Sequence, residues 1–170
     1  MGQGTIGKSD GIEYSTPLGL IEPLIKEFNL ITDVCASDKN HKLPKYWTKE
    51  DNALNKAWEG NCWMNPPFSR DLNKWVRKAC NDARKYKGVK VCLVPVRSNT
   101  KWWDEVTQFA EIRFINGEVN FNDEERGLWL PMCIMIFGEK ANVGTFSTIN
   151  YREIRAKKNY DCDLFRDTAD

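Results

Sequence analysis

The run Asn65-Pro66-Pro67-Phe68 places a carboxamide, two φ-locked residues and an aromatic ring in succession, within Asn61-Cys62-Trp63-Met64-Asn65-Pro66-Pro67-Phe68-Ser69-Arg70. An exocyclic amino group on a nucleobase is a poor nucleophile, because its lone pair is delocalised into the ring. Two acceptors aimed at its two N–H bonds, the Asn65 side-chain oxygen and the Pro66 backbone carbonyl, would draw that nitrogen towards tetrahedral geometry and localise the pair for attack. Neither acceptor needs to be a strong base, since in-line transfer of a methyl group from a sulfonium asks mainly for alignment and preorganised dipoles. Pro66 and Pro67 would hold the acceptors still by fixing φ. Phe68 offers a face on which a planar base can stack, an interaction worth roughly 1–3 kcal/mol. A base taken from a duplex must first be flipped out. The same four letters also describe a rigid turn ending in a core phenylalanine, so the elements around them matter.

Those elements read as alternating strands and helices. Asn61 to Met64 is a brief strand leading into the motif. After it Leu72, Trp75, Val76, Ala79, Cys80 and Ala83 recur at helical spacing, with Arg70, Lys74, Arg77, Lys78, Arg84 and Lys85 on the rest of the circle. That basic face is either a solvated surface or a phosphate-binding stripe. Upstream, Thr16 reads as the N-cap of a helix with Pro17 at its first position, and Pro23 should kink or split it. Residues 30–36 have the length and apolar content of a buried strand whose one acidic residue, Asp33, lies close to its end, and residues 37–47 read as loop. Thr48-Lys49-Glu50-Asp51 has a capping pattern opening a short helix with Ala53, Leu54 and Trp58, so Asp51 is either a cap or a ligand contact.

Downstream, Gly88 ends the long helix and residues 89–96 form a strand closing on Pro95 and Arg97. A helical pattern follows over 101–109, then a strand over 112–115, a turn at Gly117, and a polar loop over 122–127. Met132-Cys133-Ile134-Met135-Ile136-Phe137 reads as a central strand. The pattern argues a three-layer α/β fold with a mostly parallel sheet. Such sheets bind ligands beyond the carboxyl ends of their strands, which puts Asp33, Asn65 and Arg97 at one crevice.

At 170 residues and net charge +1, composition fits one soluble domain, and neither requires nor excludes a polyanionic partner. No run approaches the ~20 apolar residues of a membrane span, and the polar start is no signal peptide, so a cytoplasmic protein is expected. The six cysteines, Cys35, Cys62, Cys80, Cys92, Cys133 and Cys162, lack a Cys-x-x-Cys pair and read as reduced core residues. The one histidine, His41, has no partner for a metal, and no metal is expected. The expected layout is a flexible tail over 1–13, a single catalytic domain over 14–150 and a charged extension over 151–170.

Thr16-Pro17, Asp33-Val34-Cys35-Ala36, Asn40 with Lys42, Tyr46, Glu50-Asp51, Trp63 to Phe68, Trp75, Lys78-Ala79, Pro95 with Arg97, and Thr100 with Trp102 appear in an order that resembles the phage-type DNA N6-adenine methyltransferases of the Dam group. The resemblance covers residues 14 to 137. It implies a single-domain, three-layer, Rossmann-like S-adenosylmethionine-dependent methyltransferase fold and S-adenosylmethionine as donor. The substrate it implies is adenine flipped out of double-stranded DNA, with GATC as first guess, in the cytoplasm of a phage's bacterial host.

By the same resemblance Asn65, Pro66, Pro67 and Phe68 hold the target adenine. Tyr14, Ser15 and Thr16 with Asp33, Val34, Cys35 and Ala36 line the cofactor pocket, and Asp51 approaches the cofactor's adenine. Ser69, Arg70, Arg97, Asn99 and Lys101, on loops at that end of the sheet, are the inferred DNA contacts. Cys35-Ala36-Ser37 replaces the Gly-x-Gly turn common in methyltransferases, leaving Asp38 or Asn40 as candidate ribose ligands, and Glu118 follows Gly117 where the family usually has arginine. The alternatives are a guanine-N2 RNA or a glutamine methyltransferase, which share Asn-Pro-Pro-Phe or Asn-Pro-Pro-Tyr, methyl transfer to cytosine N4, and a non-catalytic binding module.

Overall fold

The computed structural model describes residues 14–123 and 128–163; the tail expected over residues 1–13 lies outside them. In chain order the elements are α1 (Leu18–Phe28), β1 (Thr32–Asp33), β2 (Lys45–Tyr46), β3 (Cys62–Met64), α2 (Leu72–Lys85), β4 (Val89–Pro95), α3 (Lys101–Thr107), β5 (Ala110–Ile115), β6 (Met132–Gly138), β7 (Phe146–Ile149) and α4 (Tyr151–Asp163). The seven strands form one sheet in the order β2-β1-β3-β4-β6-β5-β7. Only β6 runs against its neighbours, β4 and β5; the other pairings are parallel. The expectation of an α/β fold with a mostly parallel sheet is met.

Side-chain alternation sorts the core into two layers. On β4 and β6, Val89, Val91, Leu93, Met132, Ile134 and Ile136 pack with the α1 residues Leu20, Ile21, Leu24 and Phe28 and with Tyr151 of α4. Cys92, Val94, Cys133, Met135 and Phe137 face the α2 residues Leu72, Val76, Ala79 and Cys80 and the α3 residues Trp103 and Val106. Burial on both faces explains why these strands read as unbroken apolar runs. Cys62, Cys80, Cys92 and Cys133 are free thiols buried in this core, as expected, while Cys162 lies beyond the described side chains.

Several local expectations are corrected. Helix α1 starts at Leu18 with Pro17 as its N-cap, and Thr16 makes no capping bond. Pro23 neither splits nor ends it; the exposed proline sits opposite the buried stripe that holds α1 to the sheet. The strand over 30–36 pairs as a ladder only at Thr32–Asp33, although the Val34 N–H still reaches the Trp63 carbonyl and the Ala36 N–H the Trp47 carbonyl, while the Asp33 carboxylate accepts the Cys35 and Lys42 N–H groups of the following loop. The loop over 37–47 contains β2, an edge strand too short to show a period. Thr48 opens no α-helix: Asn52 takes a left-handed φ of 50°, and one 3-10 turn follows at Ala53–Asn55. Trp58 is fully buried beyond that turn, donating its indole N–H to the Ala53 carbonyl at 2.8 Å. The weakly patterned stretch from residue 151 contains α4, anchored by Tyr151 and Ile154.

Helix α2 ends at Lys85 with Tyr86 extended, and Gly88 serves the next turn instead. Its φ is +97°, and a Cβ there would lie 2.4 Å from the Gly60 carbonyl carbon. Gly88→Ala should therefore destabilise the protein by about 2 kcal/mol, combining strain with displacement of backbone. An unchanged midpoint in thermal denaturation would contradict this.

Candidate active site

From β1 the chain crosses to β2 on one side and returns to β3 on the other, so the strand order reverses around β1. Ligands of open α/β sheets settle in the crevice at such a reversal, beyond the carboxyl ends of the strands. The protein has a cleft of about 620 Å³ there. Val34, Cys35 and Ala36 leave β1 into it, and Asn65, Pro66 and Pro67 leave β3 into it. Tyr14, Ser15 and Thr16 cross it from the N-terminal side.

Asn65 is held by its amide nitrogen. Nδ2 donates to the Tyr14 carbonyl at 2.6 Å and to Thr16 Oγ1 at 3.0 Å. A backbone carbonyl can only accept, so the nitrogen must face Tyr14 and the oxygen must face away. Oδ1 is buried and has no hydrogen-bond partner among the described residues. A buried carbonyl oxygen without a donor is costly in a folded protein.

Asp33 is 2% exposed and shapes the opposite wall. Oδ1 accepts the Cys35 N–H at 3.3 Å and Oδ2 the Lys42 N–H at 3.0 Å. Burial raises its carboxyl above the usual range, and these two N–H groups pull it part of the way back. The bond to Lys42 folds the loop so that Lys42 Nζ reaches Ser15 Oγ at 2.7 Å, on the cleft. Burial, and then the Asp33 charge, push the Cys35 thiol well above its ordinary pKa. A protonated thiol is a poor nucleophile, so the one cysteine on the cleft is unsuited to covalent catalysis.

Other expected site residues are placed differently. Asp51 does not line the cleft: Oδ2 accepts the Thr48 N–H at 2.9 Å and Oδ1 pairs with Lys56 at 3.2 Å, which holds Thr48, Lys49 and Asn52 on the wall. The Thr48 N–H, the largest influence, and Lys56 hold the Asp51 carboxyl below its usual value. Phe68 packs beside the cleft, its ring nearly parallel to Tyr14 at 5.5 Å and edge-on to Phe121 at 5.8 Å. Ser69 lines the cleft, while Arg70, Arg97, Asn99 and Lys101 lie outside it. Arg70, Asn99 and Lys101 are exposed and Arg97 is half-buried. Lys42, Thr48, Lys49 and Trp75 line the cleft without having been given a role from sequence. Their sequence signals were membership of the ordered motif set, a capping pattern and, for Trp75, the apolar repeat of the long helix.

Among the described residues no helix is long and apolar enough to cross a membrane, and no cluster of three His, Cys, Asp or Glu could hold a metal.

The model of the family described as DNA N-6-adenine-methyltransferase (Dam) matches residues 3–160. A DNA N-6-adenine-methyltransferase of Haemophilus phage HP1 is 30% identical over 164 residues, covering 88% of this chain and 93% of the relative. A second, from Escherichia phage T1, is 30% identical over 112 residues, 62% of this chain and 45% of that longer protein.

Proposed function

Because the chain belongs to the DNA N-6-adenine-methyltransferase (Dam) family, we propose that it moves a methyl group from S-adenosylmethionine to the N6 amino group of an adenine flipped out of double-stranded DNA. The observation that carries this reading is Asn65 Oδ1, a buried acceptor with no partner among the described residues and a fixed direction at the reversal of strand order. The sheet, with its single antiparallel strand, is compatible with a single-domain Rossmann-like methyltransferase.

The residues present fit the donor. Lys42, steadied by Ser15, offers a cation for its carboxylate, and the apolar side chains of Val34, Ala53 and Leu54 flank the cleft between Lys42 and Thr48. When bound, S-adenosylmethionine supplies an electrophilic methyl on sulfonium sulfur. The chain supplies alignment: Asn65 Oδ1 and the Pro66 carbonyl accept the two N6 hydrogens, the nitrogen becomes pyramidal, and its lone pair turns towards the methyl. The cationic nitrogen formed on methylation is strongly acidic and would give its proton to water in the cleft, so no strong base is needed. Ser69, Arg70, Arg97, Asn99 and Lys101 hold the DNA backbone around this point. The setting is the cytoplasm of a phage's bacterial host.

Incubation with methyl-labelled S-adenosylmethionine and duplex DNA, followed by nucleoside analysis, tests this. Label in N6-methyladenine is expected; label in cytosine, or in RNA or protein alone, would overturn it. Oligonucleotides containing GATC are the first substrates to compare with scrambled controls.

Tyr14 lines the cleft with Phe68 and Phe121 packed around its ring, and the extruded base stacks on this aromatic group. Phe68→Ala should lower the transfer rate by about tenfold or more, the equivalent of one base–aromatic stack, while Phe68→Tyr should be tolerated. Equal losses in both variants would remove stacking from the role of this residue.

A further inference from the structure

Trp129 is 89% exposed, the most exposed large apolar side chain among the described residues. A single exposed apolar residue is ordinary on a protein surface. What distinguishes Trp129 is how, and where, it is held out. Leu128 and Leu130 on either side pack inward against the layer that contains α1. The Leu130 N–H bonds back to the Leu128 carbonyl at 2.7 Å, closing a tight turn with Trp129 at its apex.

That turn stands at the catalytic end of the sheet. On one side Leu128 bridges to Val119, two residues from Phe121, whose ring meets Phe68 and Tyr14. Ser15 and Asn122 exchange backbone and side-chain bonds across the same junction, at 2.8 and 3.0 Å. On the other side the Val96 N–H donates to the Pro131 carbonyl at 2.8 Å, immediately before Arg97. Trp129 is thereby rooted between the aromatic group beside Asn65 and a loop that carries Arg97 and leads into α3 at Lys101. Neither cation makes an ion pair among the described residues.

We propose that Trp129 inserts its indole into the base stack of duplex DNA at the target position, filling the space the adenine leaves when it is extruded. This rests on the DNA methylation reading above. An indole is a large flat apolar surface that stacks on any base. These two cations, one on the adjacent loop and one at the start of α3, would hold the phosphates on either side. Replacing the lost stack inside the duplex favours the extruded state, whose cost otherwise slows the reaction.

The test compares wild type, Trp129→Ala and Trp129→Phe on two duplexes carrying the methylated sequence. In one the target adenine faces thymine; in the other it faces an abasic site and is already unpaired. Trp129→Ala should lose about tenfold to hundredfold in methylation of the paired duplex. It should recover most of that rate on the unpaired one, and Trp129→Phe should keep most activity on both. Fluorescence of 2-aminopurine at the target position should rise on binding by wild type and much less by Trp129→Ala. The exposed site leaves the thermal midpoint and S-adenosylmethionine affinity unchanged, so misfolding is separable. Unreduced activity of Trp129→Ala on the paired duplex, or equal loss on both duplexes, would overturn the proposal. Wild type inactive on both duplexes would instead overturn the DNA methylation reading beneath it.

Discussion

Asn65→Ala is expected to lower the methyl-transfer rate by about 10²–10³-fold, the scale seen when one preorganised hydrogen-bonding group is removed from a reacting centre. The variant loses the only side-chain acceptor in the motif. In the proposed mechanism the Pro66 carbonyl alone would not turn the amino nitrogen out of the plane of the base. Nδ2 disappears with Oδ1, so the Tyr14 carbonyl and the Thr16 hydroxyl lose a common donor. Water from the cleft can replace that donor, and the cleft residues Lys42 and Thr48 stand on another loop. S-adenosylmethionine affinity, measured by calorimetry, should therefore stay close to wild type while single-turnover methylation collapses. Retained turnover would remove the amide from the mechanism, whereas loss of affinity in step with the rate would make Asn65 a binding residue.

The second large effect is on the fold of the cleft. Asp33→Ala should destabilise the protein by about 3–5 kcal/mol, because two charge-assisted hydrogen bonds to the Cys35 and Lys42 N–H groups are lost in a buried place. The loop that presents Lys42 to Ser15 is defined by one of those bonds, so S-adenosylmethionine binding should weaken by about tenfold or more. Asp33→Asn keeps one acceptor and should fall between. Chemical denaturation and calorimetry read the two effects separately. A stable Asp33→Ala variant with normal binding would show that the loop holds its shape without the carboxylate.

What the sequence made legible follows from how local the cause is. Helix α2 carries its own amphipathic period, and β4 and β6 carry unbroken apolar runs, so all three were expected near their true bounds. β1 and β2 were not, because the ladder holds for only two residues of the first, and the second exists only as its two-residue neighbour. The capping pattern at Thr48 was read as a helix, yet a left-handed Asn52 stops it after one turn. In the site, the type and position of Asn65 were plain from its motif. Its direction was not, since the Tyr14 carbonyl that fixes it lies 51 residues away. Phe68 and Asp51 show the opposite limit. Both were expected to face a ligand, and each is positioned by neighbours, Tyr14 and Phe121 for one, Thr48 and Lys56 for the other. Trp129 lies in the apolar stretch Leu128-Trp129-Leu130, where sequence gives no sign that the middle residue faces outward.

The central claim is that Asn65 Oδ1 waits for an amino hydrogen of the substrate base. A crystal structure of the protein with S-adenosylhomocysteine and a duplex carrying the methylated sequence measures it directly. The account predicts an extruded adenine whose N6 lies about 2.7–3.2 Å from Oδ1, the range of an N–H···O bond. An adenine bound in the cleft with Oδ1 still unpartnered, or turned to a group of the protein itself, would contradict it.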